Sequence, residues 1–122
     1  LAAHLTPEQY AEGATIIQQG DVGDKLYLIE RGRVEVSVPG PLGDRVLDTL
    51  HDGDYFGEIA LLLDVPRTAN VRALGPCTLL ALSKADFQTL VQRLPRVAEQ
   101  LTPIVQQRLA AQQAQPAAAG PA

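Results

Sequence analysis

Phe56-Gly57-Glu58-Ile59-Ala60-Leu61-Leu62, followed by Pro66-Arg67-Thr68-Ala69, is the stretch on which the reading of this chain turns. It puts a glycine, a carboxylate and an arginine within eleven residues, on one short predicted helix and the turn after it. A helix N-terminus beside a glycine offers free backbone N–H groups and a positive dipole end to an anion. Gly57 lacks a Cβ, so a ligand can come close to the main chain. Arg67 carries a planar fork suited to two phosphate oxygens. Glu58, acceptor-only when ionised, suits a sugar hydroxyl rather than a phosphate. Together these residues predict a site for a small phosphorylated sugar with one compact negative charge.

Outward from this stretch, residues 14–83 read as short β-rich runs separated by glycine turns. Strands are predicted at 15–18, 25–30, 34–38, 45–50, 70–73 and 77–83, and Gly20-Asp21-Val22-Gly23, Arg31-Gly32, Pro39-Gly40-Pro41-Leu42-Gly43 and Asp52-Gly53 supply turn dihedrals between them. Alternation in Val34-Glu35-Val36-Ser37-Val38 leaves one face of that strand wet. Regularly spaced short strands suggest a sandwich or a closed barrel.

Helices follow. Ser83-Lys84-Ala85-Asp86 reads as a capping box with Asp86 in place of the usual Glu. Phe87, Leu90, Val91 and Leu94 form one apolar stripe, and Pro95 ends or restarts the helix. Val97, Leu101, Ile104, Val105 and Leu109 continue a second stripe across Thr102-Pro103. A proline is disruptive inside a helix but comfortable at its first position, so a break is expected there with Thr102 as cap. That break predicts a hinge, with 103–113 closing as a lid and Ile104, Val105 and Leu109 facing inward; the alternative is one kinked helix docked permanently on the roll. Residues 114–122 are rich in Ala, Pro and Gln and read as a disordered tail or linker after a domain spanning 1–113.

The 56–69 stretch resembles the phosphate-binding cassette of the cyclic nucleotide-binding domain family. That pattern runs Phe-Gly-Glu, two or three apolar residues, a short variable loop, then Pro-Arg-Thr/Ala-Ala. It is matched at Phe56, Gly57, Glu58, Ala60, Leu61, Pro66, Arg67, Thr68 and Ala69. Gly20-Asp21-Val22-Gly23-Asp24, Tyr27-Leu28-Ile29 and Gly32-Arg33-Val34-Glu35-Val36 resemble the family's glycine-punctuated early strands, and the likeness covers about residues 5–113. It implies a mainly β fold, a jelly-roll β-roll (double-stranded β-helix) with a short cassette helix and C-terminal lid helices. It also makes the segment near Thr6-Pro7-Glu8 a first strand, where the residues alone allow a short helix. The implied ligand site is Phe56, Gly57, Glu58, Ile59, Ala60, Pro66, Arg67, Thr68 and Ala69, and the implied ligand a cyclic nucleotide. Cyclic AMP is favoured over cyclic GMP, and a regulated effector domain is expected elsewhere in a longer protein. Thr68 stays open between a phosphate contact, a contact to a guanine amino group as in guanine-preferring members, and a turn residue.

Composition narrows the alternatives. A chain of 122 residues fits one domain. Hydrophobic residues make up 46%, which suits a globular protein, yet no apolar run approaches the ~20 residues of a membrane span. The start at Leu1, without Met or a charged leader, is read as a piece of a longer polypeptide without a signal peptide, hence a cytoplasmic expectation. Alanine and leucine richness with few lysines suggests a bacterial, GC-rich source. The single Cys77 reads as a buried structural thiol. Residues 1–66 carry twelve acids and four bases, against two acids and six bases in 67–122. The acidic first half argues against nucleic-acid binding, and the later arginines (Arg72, Arg93, Arg96 and Arg108) read as a solvated face.

His4 and His51 lie far apart without metal-ligand spacing, and no nucleophile stands beside a plausible base. The expectation is therefore a binding module, with no cofactor or metal, rather than an enzyme. Its rival is a degenerate β-roll that binds nothing and serves in dimerisation or scaffolding. A homodimer through the C-terminal helices is compatible with either. Ile59, Leu61, Leu62 and Leu63 are expected in the core or pocket wall, and Val46, Leu47 and Val71 are candidates for the base pocket.

Overall fold

The computed structural model describes residues 4–114. The tail reading for 115–122 lies outside them. The chain runs β1 (Thr6–Tyr10), β2 (Thr15–Ile17), β3 (Lys25–Arg31), β4 (Arg33–Val38), β5 (Arg45–His51), β6 (Tyr55–Phe56), α1 (Glu58–Leu63), β7 (Asn70–Ala73), β8 (Cys77–Ser83), α2 (Lys84–Arg93) and α3 (Pro95–Gln113). The N-terminal segment is a strand, in register with β8 from Thr6 opposite Ala81 to Tyr10 opposite Cys77. Only β6, two residues long, has no counterpart among the strands predicted from the sequence.

Two antiparallel four-stranded sheets, ordered β1-β8-β3-β6 and β2-β7-β4-β5, enclose the core. Their inward positions come from period-two spacing: Tyr27 and Ile29 on β3, Cys77, Leu79 and Ala81 on β8, Val71 and Ala73 on β7. Tyr27 stacks on Phe56 with ring centroids 5.1 Å apart, so the aromatic ahead of the cassette is anchored inside the roll. The fold is the mainly β roll with C-terminal helices that the resemblance implies. Strand β4 departs from the expected wet face. Ser37 is buried, and a register shift between Val36 and Ser37 marks a bulge that breaks the simple alternation.

Ser83 caps α2, its Oγ accepting from the Asp86 N–H at 3.1 Å. Phe87 joins Leu61 and Leu82 in a second buried cluster that fastens the helices to the roll, with Leu90, Val91 and Leu101 packed around it. Leu94, extended at φ −127°, separates α2 from α3, and Pro95 opens α3 where its missing N–H costs nothing.

The expected break at Thr102-Pro103 is absent. Helix α3 continues through Pro103, and Thr102 is an interior residue whose hydroxyl donates to the Ala98 carbonyl at 2.8 Å. Packing of Leu101 and Val105 against the rest of the domain overrides the local cost of the proline. Pro103 still withholds an N–H from the Glu99 carbonyl. Pro103→Ala is therefore expected to stabilise the domain by about 1–2 kcal/mol. Urea unfolding measures this, and a lowered midpoint would contradict a helix continuous through residue 103.

Candidate functional site

The cassette turns inward at Gly57, the N-cap of α1, which takes φ 93°. A side chain there would be strained, and its Cβ would lie 2.9 Å from the Lys25 carbonyl oxygen and 3.1 Å from Arg67 Nη1. Gly23 is needed for a different reason: a Cβ would meet that of Ala60 at 2.4 Å. The early glycine loop therefore packs directly on the cassette. It also grips the Arg67 main chain, with Arg67 N donating to the Asp21 carbonyl at 2.8 Å and Gly20 N donating to the Arg67 carbonyl at 2.9 Å.

Arg67 is 6% exposed. Its Nη1 donates to the Gly57 carbonyl at 2.9 Å and its Nη2 to the Lys25 carbonyl at 2.7 Å. A guanidinium has five N–H donors, so three are left after these two bonds. Among the described residues no carboxylate lies within ion-pair distance of it. Burial draws its pKa below the ordinary value, opposed by Tyr27, Asp24, Glu58 and Asp21 at longer range. It nonetheless stays protonated. A buried cation aimed by two carbonyls and lacking an anionic partner is a seat for an anion.

Glu58 is 1% exposed and is paired, but not with Arg67. Its Oε1 accepts from Nη1 of Arg108 at 2.5 Å, and the same nitrogen donates to the Tyr55 carbonyl at 3.0 Å. The Arg108 guanidinium also lies 5.0 Å from the Tyr55 ring centroid. Burial pushes the Glu58 carboxyl above its ordinary pKa, and Arg108 is the main influence pulling it back.

These groups face a cavity of about 350 Å³. Of the residues predicted for the site, Phe56, Gly57, Glu58, Ile59, Ala60, Arg67, Thr68 and Ala69 line it. Pro66 does not; it is exposed on the turn before Arg67. Of the candidate base-pocket residues, Leu47 and Val71 line the cavity, whereas Val46 points away and is 54% exposed. Leu63 is 44% exposed, not core. Helix α3 closes the far side through Ile104, Gln107, Arg108, Ala111 and Gln112. Of the expected inward lid residues, Ile104 lines the cavity and Val105 is buried. Leu109 instead borders an adjoining groove beside the 39–45 hairpin. Assigning Arg108 to a solvated face is incorrect. It lies one helical turn after Ile104, a spacing that puts both on the same inward side.

The chain belongs to the cyclic nucleotide-binding domain family, which it matches over residues 7–94. It is 44% identical over 91 residues to a cAMP-dependent protein kinase regulatory subunit of Yarrowia lipolytica, covering 75% of this chain and 24% of that protein. Against the Cyclic AMP receptor protein of Thermus thermophilus it is 39% identical, covering 82% of this chain and 47% of that one. Among solved structures it resembles the Thermus thermophilus Catabolite Activator Protein, with TM-score 0.78, 37% identity and coverage of 86% and 50% of the two chains. The regulatory domain of Toxoplasma gondii PKA, crystallised with cAMP, gives TM-score 0.77 and 33% identity, covering 84% and 39%. The chain thus spans between a quarter and a half of these relatives. They come from eukaryotes and a bacterium alike, and so lend no support to the bacterial source suggested by composition.

Because burial raises the Glu58 pKa, the folded state carries a charge penalty that grows as pH rises through the ordinary value of 4.5 and is complete above the folded value. Glu58→Gln removes that charge and keeps an acceptor for Arg108. It is expected to be more stable than the parent at neutral pH, with the gain fading below about pH 4. Denaturant unfolding at both pH values checks this; a lower midpoint for the variant at neutral pH would contradict it.

Proposed function

We propose that this chain is a sensor module that binds a cyclic nucleotide monophosphate, cyclic AMP in preference to cyclic GMP, and relays occupancy to an effector domain of a longer cytoplasmic protein. The observation that carries this reading is Arg67, a buried cation with spare donors and no carboxylate partner among the described residues, at the wall of a cavity large enough for a nucleotide. The cyclic phosphate would take the free Arg67 donors and the main-chain N–H groups at Gly57–Glu58. Glu58 has a second carboxylate oxygen to accept the ribose 2′-hydroxyl, while Arg108 offsets its charge. The names of the relatives agree in ligand class, and regulatory relatives favour a binding module over an enzyme. A degenerate, non-binding roll is disfavoured, because it would have no reason to keep Arg67 buried and charged.

Calorimetry with cyclic AMP and its 2′-deoxy analogue tests the site. Arg67→Ala should lose roughly 30- to 1000-fold in affinity, and Arg67→Lys should also bind more weakly, since a point charge does not fork two oxygens. The parent should prefer the ribose form, and Glu58→Ala should largely erase that preference. Arg67→Ala within about threefold of the parent would remove the phosphate from this position.

The relay follows from α3 being both a wall of the cavity and the last helix described. With α3 continuous, the pivot falls at Leu94–Pro95 rather than at Thr102-Pro103, so the helix would move as one piece. Ligand at Glu58 changes what Arg108 touches, and Arg108 is carried on α3. Hydrogen exchange should show protection rising across 95–113 as well as 57–69 when cyclic AMP is added. A response confined to 57–69 would take α3 out of the signal path.

A further inference from the structure

The geometry points to Arg45 as a latch that holds the last turn of α3 against the roll from outside the cavity, and so sets how fast a ligand enters and leaves without touching it. This rests on the cavity being a cyclic nucleotide site. Arg45 Nη2 donates to the Ala114 carbonyl at 2.8 Å and to the Gln112 carbonyl at 3.3 Å. Both acceptors lie at the end of α3, where the final carbonyls lack partners within the helix and the dipole is negative. The last turn, Ala110-Ala111-Gln112-Gln113, has no cation of its own. The roll supplies one.

Local sequence aims it. Val36 pairs with Asp48 and Ser37 with Val46, so β5 carries Leu47 as an extra residue between them. Such a bulge re-aims side chains. Leu47 turns to the cavity, and Arg45, two residues earlier on the same side of the strand, turns towards α3. Pro39 and Pro41 stiffen the hairpin before Arg45, and Gly43, at φ 110°, closes it by donating to the Gly40 carbonyl at 3.2 Å. Arg45 itself lies in the groove beside this hairpin, with Leu109.

Helix α3 spans 19 residues, about 28 Å, from the Leu94–Pro95 pivot, and Arg45 grips its far end. Arg108 holds the same helix from within, at a carboxylate that a ribose hydroxyl would share. Arg45 meets no such competitor, so its grip is the same over an empty and an occupied cavity. A contact of that kind favours closure without favouring the ligand. Loosening it speeds entry and exit together and leaves their ratio, the affinity, in place.

Rapid-filtration kinetics with radiolabelled cyclic AMP, and hydrogen exchange of the ligand-free protein, test this. Arg45→Ala should raise both the association and the dissociation rate by about tenfold, with Kd kept within about threefold. Arg45→Lys, which keeps the charge, should stay closer to the parent, and Arg45→Glu, a like charge at the negative helix end, should be faster than Arg45→Ala. Without ligand, Arg45→Ala should lose protection in 109–113 and not in 57–69. Unchanged protection in 109–113, or a Kd that rises while association stays at the parent rate, overturns the latch and leaves the nucleotide site standing. A parent that binds no cyclic AMP overturns the site and the gating role together.

Discussion

A buried guanidinium without an anionic partner among the described residues is the constraint around which this domain is arranged. Arg67 is held in place by neutral carbonyls from Gly57 and Lys25 rather than by a carboxylate. An ion pair would have satisfied the charge and closed the site. Carbonyl acceptors orient the fork while leaving its net charge uncancelled, so the attraction for a phosphate survives burial. The glycines answer to the same requirement. Gly57 lets its own carbonyl and that of Lys25 meet the fork, and Gly23 lets the 20–24 loop lie against Ala60 and hold the Arg67 backbone.

Glu58, nine residues before Arg67, sets up a second tension. A carboxyl so fully buried beside an anion seat is unfavourable to the fold in its charged form, and Arg108 is the main influence that favours that form. The partner is supplied by α3, the element at the end of the described chain, rather than by the roll. Site chemistry and helix position are thereby joined in one contact. Anything that alters the demand on the Glu58 oxygens alters one of the contacts that hold α3.

Much of this was legible in the residues. The strands 70–73 and 77–83 are set by glycine and proline boundaries and β-branched or apolar runs, and they fall where expected. Gly57, Glu58 and Arg67 do converge on one cavity. What failed was tertiary in origin. Pro103 carries a strong local signal for a break, and burial of Val105 on the following turn outweighs it. Arg108 looks like a surface residue because charged side chains on a helix mostly are; only its spacing from Ile104 hints otherwise. Val46 and Leu47 are adjacent, so pleating sends one out and one in, and the sequence alone does not say which. The burial of Ser37 depends on a bulge, which no alternation pattern announces.

The Arg67 seat also has a temporal side. Its backbone partners at residues 20, 21, 25 and 57 all precede it in the chain, but β3, which carries Lys25, is held in its sheet by β8, which follows. A fragment that ends at Arg67 therefore holds every backbone partner of that residue but lacks the strand that steadies Lys25. Competence for the anion arises late, with closure of non-local sheet pairs, which is the slow step expected of such topologies. The anion seat is in this sense a product of the closed roll rather than of the cassette alone.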